Sequence, residues 1–131
     1  MSTGTSIIER AHRLIGTKAQ GQPIAAERTA ASLEALNAML VRWEADGVAL
    51  GFSALSAATD TMPIPAEADE SVAYNLAVMI APEYGKVAPP DVQAIAMNGY
   101  NALLRDVIKP EPVRLDAPCS EVSGVYDIQV E

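Results

Sequence analysis

The stretch Val72–Gly85 limits the possible folds of this chain more than any other segment. Its first ten residues contain a single strongly polar side chain, Asn75. On a helix, Ala73, Ala77 and Ala81 would form a stripe of small residues, because positions four apart share a face. A helix that is apolar nearly all round belongs in a core, and a bilayer span would need about 20 apolar residues. The stretch is therefore predicted to be the central core helix of a small domain.

The sequence also marks both ends of this helix. Pro63-Ile64-Pro65 precedes it, and Glu67, Asp69 and Glu70 follow in what would be the first turn, where carboxylates suit the positive end of a helix. Pro82 and Gly85 indicate where the helix ends, and Pro82 would either stop it or kink its last turn.

A first helix is predicted over Thr5–Ile15, with Thr5 or Ser6 as N-cap and Glu9 completing a capping box from Ser6. It carries His12, the only histidine in the chain. Without a second histidine or cysteine at ligand spacing, His12 is interpreted as a helix-surface or partly packed side chain. A general base or metal ligand is the alternative.

Two further helices are predicted on either side of the central one. The second lies within Pro23–Asp46, is followed by Gly47 as a C′ glycine, and carries Trp43 as a core or interface anchor. The other opens at Pro89-Pro90-Asp91 and ends near Val107 or Ile108, before Pro110.

Two segments do not follow the helical pattern. Val48–Pro65 is a long connection that contains Phe52, and part of it is predicted to form a β-hairpin or a pair of short strands. After Pro110, five carboxylates and one arginine give a net charge of −4. The strand-forming residues of this C-terminal arm are Val122, Val125, Tyr126, Ile128 and Val130.

Such a strand needs a partner. The partner would be the long connection, a neighbouring copy or another protein, unless the arm is only a loosely docked terminus. The chain is accordingly divided into a helical domain, residues 1–109, and an extended arm, residues 110–131.

The composition supports a single helical domain and argues against some classes of function. Of 131 residues, 50% are hydrophobic but only 5% are aromatic, which favours closely packed helices. A net charge of −8 argues against a protein that neutralises nucleic-acid phosphates. The single cysteine, Cys119, indicates a reducing compartment or a particle assembled in one. The N-terminal residues lack the pattern of a secretion signal, and no cofactor or metal motif is found.

Three motifs together resemble a known family. Leu36-Asn37-Ala38-Met39-Leu40 is followed by Trp43 and Gly47; Tyr74-Asn75-Leu76-Ala77 is followed by Ala81-Pro82-Glu83-Tyr84-Gly85; and Pro89-Pro90-Asp91 opens an alanine-rich helix. In this order and spacing they resemble the head-to-tail adaptor proteins of short-tailed bacteriophages, of the tail accessory factor or packaged-DNA-stabilisation type. The resemblance covers roughly residues 5–108.

The resemblance implies a mainly α, four-helix bundle-like virion protein without catalytic activity. It implies a ring, usually twelve-fold, that lies beneath the portal protein, extends the DNA channel and offers a platform to tail or nozzle proteins. DNA would pass without specific binding, no membrane would be involved, and assembly would occur in the host cytoplasm. Stripes of small residues would let helices of adjacent subunits approach closely.

Specific residues receive roles from these arguments. Residues predicted for the portal or subunit interface are Phe52, Val122, Val125, Tyr126, Ile128 and Val130. Residues predicted for the core motif are Leu36, Asn37, Leu40, Trp43, Asn75, Leu76 and Tyr84. Asn37 and Asn75 are expected to hydrogen-bond backbone groups or each other, because an unpaired buried amide costs about 1–3 kcal/mol.

Two other functions are kept as alternatives. A peptidoglycan-cleaving virion enzyme would use a pair of carboxylates, for which Glu67, Asp69, Glu70 and Glu83 are available. The other alternative is a bacterial helical scaffold or regulatory binding module unrelated to phage.

Overall fold

The computed structural model describes residues 2–17, 21–48 and 50–107. The four α-helices are α1 Gly4–Leu14, α2 Ala26–Ala45, α3 Asp69–Ile80 and α4 Pro90–Val107. Short 3-10 turns, Ala66–Ala68 and Ala81–Tyr84, extend α3 at both ends. The prediction of a mainly α, bundle-like fold is confirmed. The predicted arm lies outside the described residues, as does Cys119.

Helix α3 is the centre of the bundle, as its apolar pattern predicts. It contacts α1, α2 and α4. Its alanine stripe, Ala73, Ala77 and Ala81, is buried inside the chain. The expectation that such stripes serve contacts between subunits is therefore wrong for this one, since these alanines allow close approach of helices within one chain.

The ends of α2 and α3 follow the predicted signals. After α2, Gly47 has a φ of 103°, a left-handed conformation that glycine adopts without a Cβ penalty. The Val48 N–H donates to the Trp43 carbonyl at 2.9 Å and the Gly47 N–H to the Glu44 carbonyl at 3.2 Å, which closes the helix in a Schellman motif. Pro82 does not end the helical conformation after α3. It lies in the 3-10 turn Ala81–Tyr84, which Gly85 caps.

The start of α1 differs from the prediction. Thr3 is the N-cap: its Oγ1 accepts from the Ser6 N–H at 3.2 Å, and the Ser6 Oγ accepts from the Thr3 N–H at 3.0 Å. The predicted capping box from Ser6 to Glu9 is wrong because the residues before Ser6 are hydrogen-bonded to a segment that is far away in the sequence. The Met62 N–H donates to the Ser2 carbonyl at 3.0 Å and the Gly4 N–H to the Asp60 carbonyl at 3.1 Å, so the helix begins where this pairing ends.

The connection between α2 and α3 does not form the predicted β-hairpin. Among its described residues there is no strand, and its one β-bridge joins Thr61 to Thr3 in antiparallel orientation. Buried side chains, Leu55, Met62 and Ile64, fix the loop to the core instead. A tight turn is closed by Asp60, whose carboxylate accepts from the Ala57 N–H and the Ser56 hydroxyl, both at 3.0 Å.

These hydrogen bonds make the loop sensitive to acid. The Ala57 N–H, and then the Ser56 hydroxyl, favour the charged carboxylate and lower the pKa of Asp60 below its ordinary 3.8. A pKa that is lower in the folded state contributes stability above the ordinary value, and this contribution is lost as the pH falls through the folded pKa.

Helices α3 and α4 run antiparallel and approach closely at Gly99. A Cβ placed on Gly99 would lie 2.9 Å from the Ser71 Cβ and 3.3 Å from the Ser71 Cα. Real Cβ atoms do not approach a backbone-anchored carbon this closely, so the crossing requires a glycine in the middle of α4. Glycine is a poor helix former, but at this position it allows α3 and α4 to pack closely.

Gly99→Ala is therefore expected to lower the free energy of unfolding, although alanine is the better helix former. Overpacking costs about 1–3 kcal/mol, whereas the gain in helix propensity is about 1 kcal/mol. Urea unfolding followed by circular dichroism measures the difference. Asn98→Ala, on the exposed neighbouring position, should be neutral or stabilising. Adding Ser71→Gly to Gly99→Ala should recover part of the loss, and the absence of coupling between the two would contradict the steric account.

Candidate docking surface

The large apolar residues of the first two motifs lie in the interior of the bundle or at its edge. Leu36, Leu40, Trp43 and Leu76 are buried, and Tyr84 is half-buried at the edge of the core, where its ring meets that of His12. The Trp43 ring meets the Tyr100 ring edge-on, with centroids 5.0 Å apart, a favoured geometry for aromatic pairs. These buried residues hold the fold together, so a partner must be bound by residues that reach the surface.

Asn37 joins α2 to the long connection. Its Nδ2 donates to the Leu55 carbonyl at 3.0 Å, and its Oδ1 accepts from the Leu55 N–H at 3.0 Å. One side chain thus satisfies both backbone groups of a buried loop residue. This pair of bonds, which we call the Asn37 clamp, sets the position of the loop that carries Phe52.

Asn75 joins α3 to α4, as Asn37 joins α2 to the loop. Its Nδ2 donates to the Ser71 carbonyl at 2.7 Å and to the Ala96 carbonyl at 2.9 Å. Both asparagines therefore hydrogen-bond backbone groups, as predicted, and not each other.

Of the predicted interface residues, Phe52 alone lies in the described part of the chain. It is half-buried and packs on the edge of the core, on the loop that the Asn37 clamp holds. The other predicted contacts, Val122, Val125, Tyr126, Ile128 and Val130, lie outside the described residues.

An apolar groove, which no pattern in the sequence indicates, lies between α3 and α4. It encloses about 290 Å³ and is lined by Asn75, Val78, Gln93, Ala96, Met97 and Tyr100. The Met97 side chain is 66% exposed. Burial, and then the Asp46 carboxylate beside it, raises the pKa of Tyr100 above its ordinary 10.0, so the phenol stays neutral and none of the lining side chains carries a charge.

A second groove lies between α2 and α3. It encloses about 240 Å³ and is lined by Ala31, Glu34, Ala35, Ala38, Met79 and Glu83. Met79 is exposed here. Two carboxylates border this groove, so it differs from the α3–α4 groove in charge.

His12 is buried, which corrects the expectation of a helix-surface or partly packed side chain. It is 0% exposed, with Nδ1 2.6 Å from the Thr17 Oγ1 and Nε2 2.8 Å from the Ser32 Oγ. The Ser–His distance would suit an activated nucleophile. Ser32 is only 1% exposed, however, so no substrate reaches the pair, and it serves to tie α1 to α2. Sequence alone does not reveal a partner twenty positions away.

The carboxylates considered for an enzyme are dispersed. Glu70 pairs with Arg10 at 3.2 Å, Glu83 borders the α2–α3 groove, and Glu67 is exposed. One oxygen of Asp69 is buried beside a cavity of about 30 Å³, which has room for one water molecule. Within residues 2–17, 21–48 and 50–107, no three histidine, cysteine or acidic side chains are grouped to hold a metal ion.

A comparison with protein-family models matches residues 3–121 to the P22 tail accessory factor family. The chain belongs to this family. The match extends beyond residue 108, where the resemblance seen in the sequence ends, to Glu121, so the family pattern includes the first part of the acidic arm. A search of curated proteins finds no match.

Membership of the family makes the chain a structural component of a phage virion. The family is one of structural proteins and not of enzymes. None of the helices in the described part of the chain is long and apolar enough to span a membrane.

Proposed function

We propose that this tail accessory factor is a head-to-tail adaptor. Copies of the chain would form a ring, usually of twelve, beneath the portal protein, and the ring would extend the DNA channel and receive the tail or nozzle proteins. The observation that carries the proposal is the family match, which spans the helical bundle and continues into the arm to Glu121.

The charge of the chain suits a channel through which DNA must slide. Tight DNA binding requires lysine and arginine to neutralise phosphates, whereas this chain has a net charge of −8. A ring of such subunits would repel the DNA backbone, and DNA would pass without specific binding. Assembly in the host cytoplasm is consistent with a chain that contains one cysteine.

The structure supports different roles for the helical domain and the C-terminal arm. Residues 1–109 would form the rigid body, because the Asn37 clamp and the Asn75 bonds fix its loop and its last helix. Residues 110–131 would form an arm that binds the portal protein or a neighbouring copy. Phe52, Val122, Val125, Tyr126, Ile128 and Val130 are the proposed contacts.

Sedimentation with the portal ring of the same particle tests the proposal. The full chain is expected to bind stoichiometrically, and a chain stopped at Lys109 is expected to lose binding. In the full chain, Ile128→Asp should weaken binding strongly and Gln129→Asp should not, because these neighbours point to opposite faces of a strand. The two substitutions add the same side chain, so a general effect of negative charge would appear in both.

The other outcomes separate the parts of the proposal. Binding that survives truncation would keep the adaptor but move the contact to the helical body or to the loop that carries Phe52. No binding by the full chain would contradict the adaptor. A peptidoglycan-release assay on the pure protein would then be the next measurement.

A further inference from the structure

The α3–α4 groove has the chemistry of a site for an extended peptide. Its apolar floor is formed by Val78, Ala96, Met97 and Tyr100, and it contains two amide side chains, Asn75 and Gln93. The Asn75 Nδ2 donates to the Ser71 and Ala96 carbonyls, and the Gln93 Nε2 donates to the Ala88 carbonyl at 2.7 Å. Because these bonds fix both amide nitrogens, the oxygens remain as acceptors for backbone N–H groups.

The end of the chain supplies a segment that matches this groove. Tyr126, Ile128 and Val130 alternate with Asp127, Gln129 and Glu131, so an extended segment would have one apolar face and one polar face. From Gln93 to Tyr100 the groove follows seven residues of α4, about 10 Å at 1.5 Å per residue. From Tyr126 to Val130 an extended chain spans about 13 Å, so the segment and the groove have similar lengths.

The negative charge of the arm favours the α3–α4 groove over the α2–α3 groove. The arm has a net charge of −4, from five carboxylates and one arginine after Pro110. Glu34 and Glu83 border the α2–α3 groove and would repel it. None of the side chains that line the α3–α4 groove carries a charge, and the Asp46 carboxylate beside Tyr100 is paired with Arg42 at 3.3 Å. The carboxylates of a docked segment would face solvent.

The connection is long enough for the segment to reach the groove of its own chain. Eighteen residues, 108–125, separate the end of α4 from Tyr126, and fully extended they would cover about 60 Å. Returning along α4 from Val107 to Gln93 requires about 21 Å. A tethered segment also acts at an effective concentration near the millimolar range, which exceeds that of a second copy in dilute solution.

We propose that residues 126–130 of the free protein dock in the α3–α4 groove of the same chain, with Tyr126, Ile128 and Val130 on Val78, Met97 and Tyr100. The docked segment covers the exposed Met97 and occupies the acceptors of Asn75 and Gln93. This inference does not depend on the proposed adaptor function. If the chain is an adaptor, its arm must leave the groove before it binds elsewhere, and this step delays binding until a partner competes for the same residues.

Disulfide trapping in the full chain tests the docking. In a Cys119→Ser background, Met97→Cys with Ile128→Cys is compared with Val41→Cys with Ile128→Cys. Val41 is a matched control because it is 59% exposed against 66% for Met97 and does not line the groove. Oxidation is followed on non-reducing gels, and the bridged peptides are identified by mass spectrometry. The groove pair is expected to form an intramolecular disulfide at least about ten-fold faster than the control pair.

Two results would overturn the proposal. Equal rates for the two pairs would show no preference for the groove, and disulfides formed mainly between chains would make a second copy the occupant. Neither result bears on portal sedimentation, so failure of this inference and failure of the adaptor function are distinguishable.

Hydrogen exchange on the full chain without cysteine substitutions gives a second, independent measurement. The amides of residues 126–130 are expected to exchange about ten-fold more slowly than in a free peptide of the same sequence. Met97→Asp should abolish that protection while Val41→Asp preserves it. Protection that is absent from the full chain, or that persists in Met97→Asp, would contradict docking in this groove.

Discussion

Trp43→Ala is expected to lower the free energy of unfolding by about 3–5 kcal/mol, the usual cost of truncating a large buried aromatic residue. The indole is only 6% exposed and lies edge-on to Tyr100. Its loss would leave a cavity between the end of α2 and α4 and remove the aromatic pair. Because native domains are stable by only about 5–15 kcal/mol, this single change removes a large part of the total.

Urea unfolding followed by far-UV circular dichroism is the appropriate measurement, since the substitution removes the only tryptophan of the chain. Val41→Ala is the control, because Val41 lies two positions away on the same helix and is 59% exposed. Its effect should stay within about 0.5 kcal/mol. A loss below about 1 kcal/mol in Trp43→Ala would show that the bundle closes over the cavity and that Trp43 is not an anchor.

Local patterns made the helical part of this fold predictable. The apolar run of α3 indicated its central position, and Gly47 indicated where α2 ends. In both cases the residues that determine the element lie within the element or next to it. The three motifs likewise indicated the family, because each consists of neighbouring residues in one helix or turn.

The remaining features depend on contacts between residues far apart in sequence. The start of α1 was predicted wrongly because Asp60 and Met62 pair with its first residues. The hairpin was predicted wrongly because the loop is held by Asn37 and by buried side chains, and not by strand pairing. The burial of His12 depends on Ser32, on another helix.

The candidate site was the least predictable part for the same reason. In the α3–α4 pair, the two helices approach closely at Gly99, while in the groove Met97 is exposed and Val78 is half-buried. No single helix shows this in its sequence. Of the predicted interface residues, only Phe52 has a described position, on a loop that is held by buried side chains and by the two hydrogen bonds of Asn37.

The hydrogen bonds between Asn37 and this loop lead to the second prediction of a large effect on stability. Asn37→Ala is expected to lower the free energy of unfolding by about 2–4 kcal/mol, because the N–H and C=O of the buried Leu55 lose their partners together. Urea unfolding measures the total, and hydrogen exchange at the Leu55 amide reports the loop directly. That amide should exchange much faster in the variant even where α3 remains protected.

Asn37→Asp separates the two halves of the Asn37 clamp. The carboxylate still accepts from the Leu55 N–H at the position where Oδ1 now lies 3.0 Å away, but its second oxygen takes the place of Nδ2 and faces the Leu55 carbonyl oxygen without a proton between them. It should therefore protect the Leu55 amide better than alanine does while recovering only part of the stability. Asn101→Ala, on the exposed face of α4, should change stability by less than about 0.5 kcal/mol. If Leu55 exchanges at the same rate in Asn37→Ala as in the unaltered chain, the loop is held by its buried side chains alone. The position of Phe52 would then not depend on Asn37.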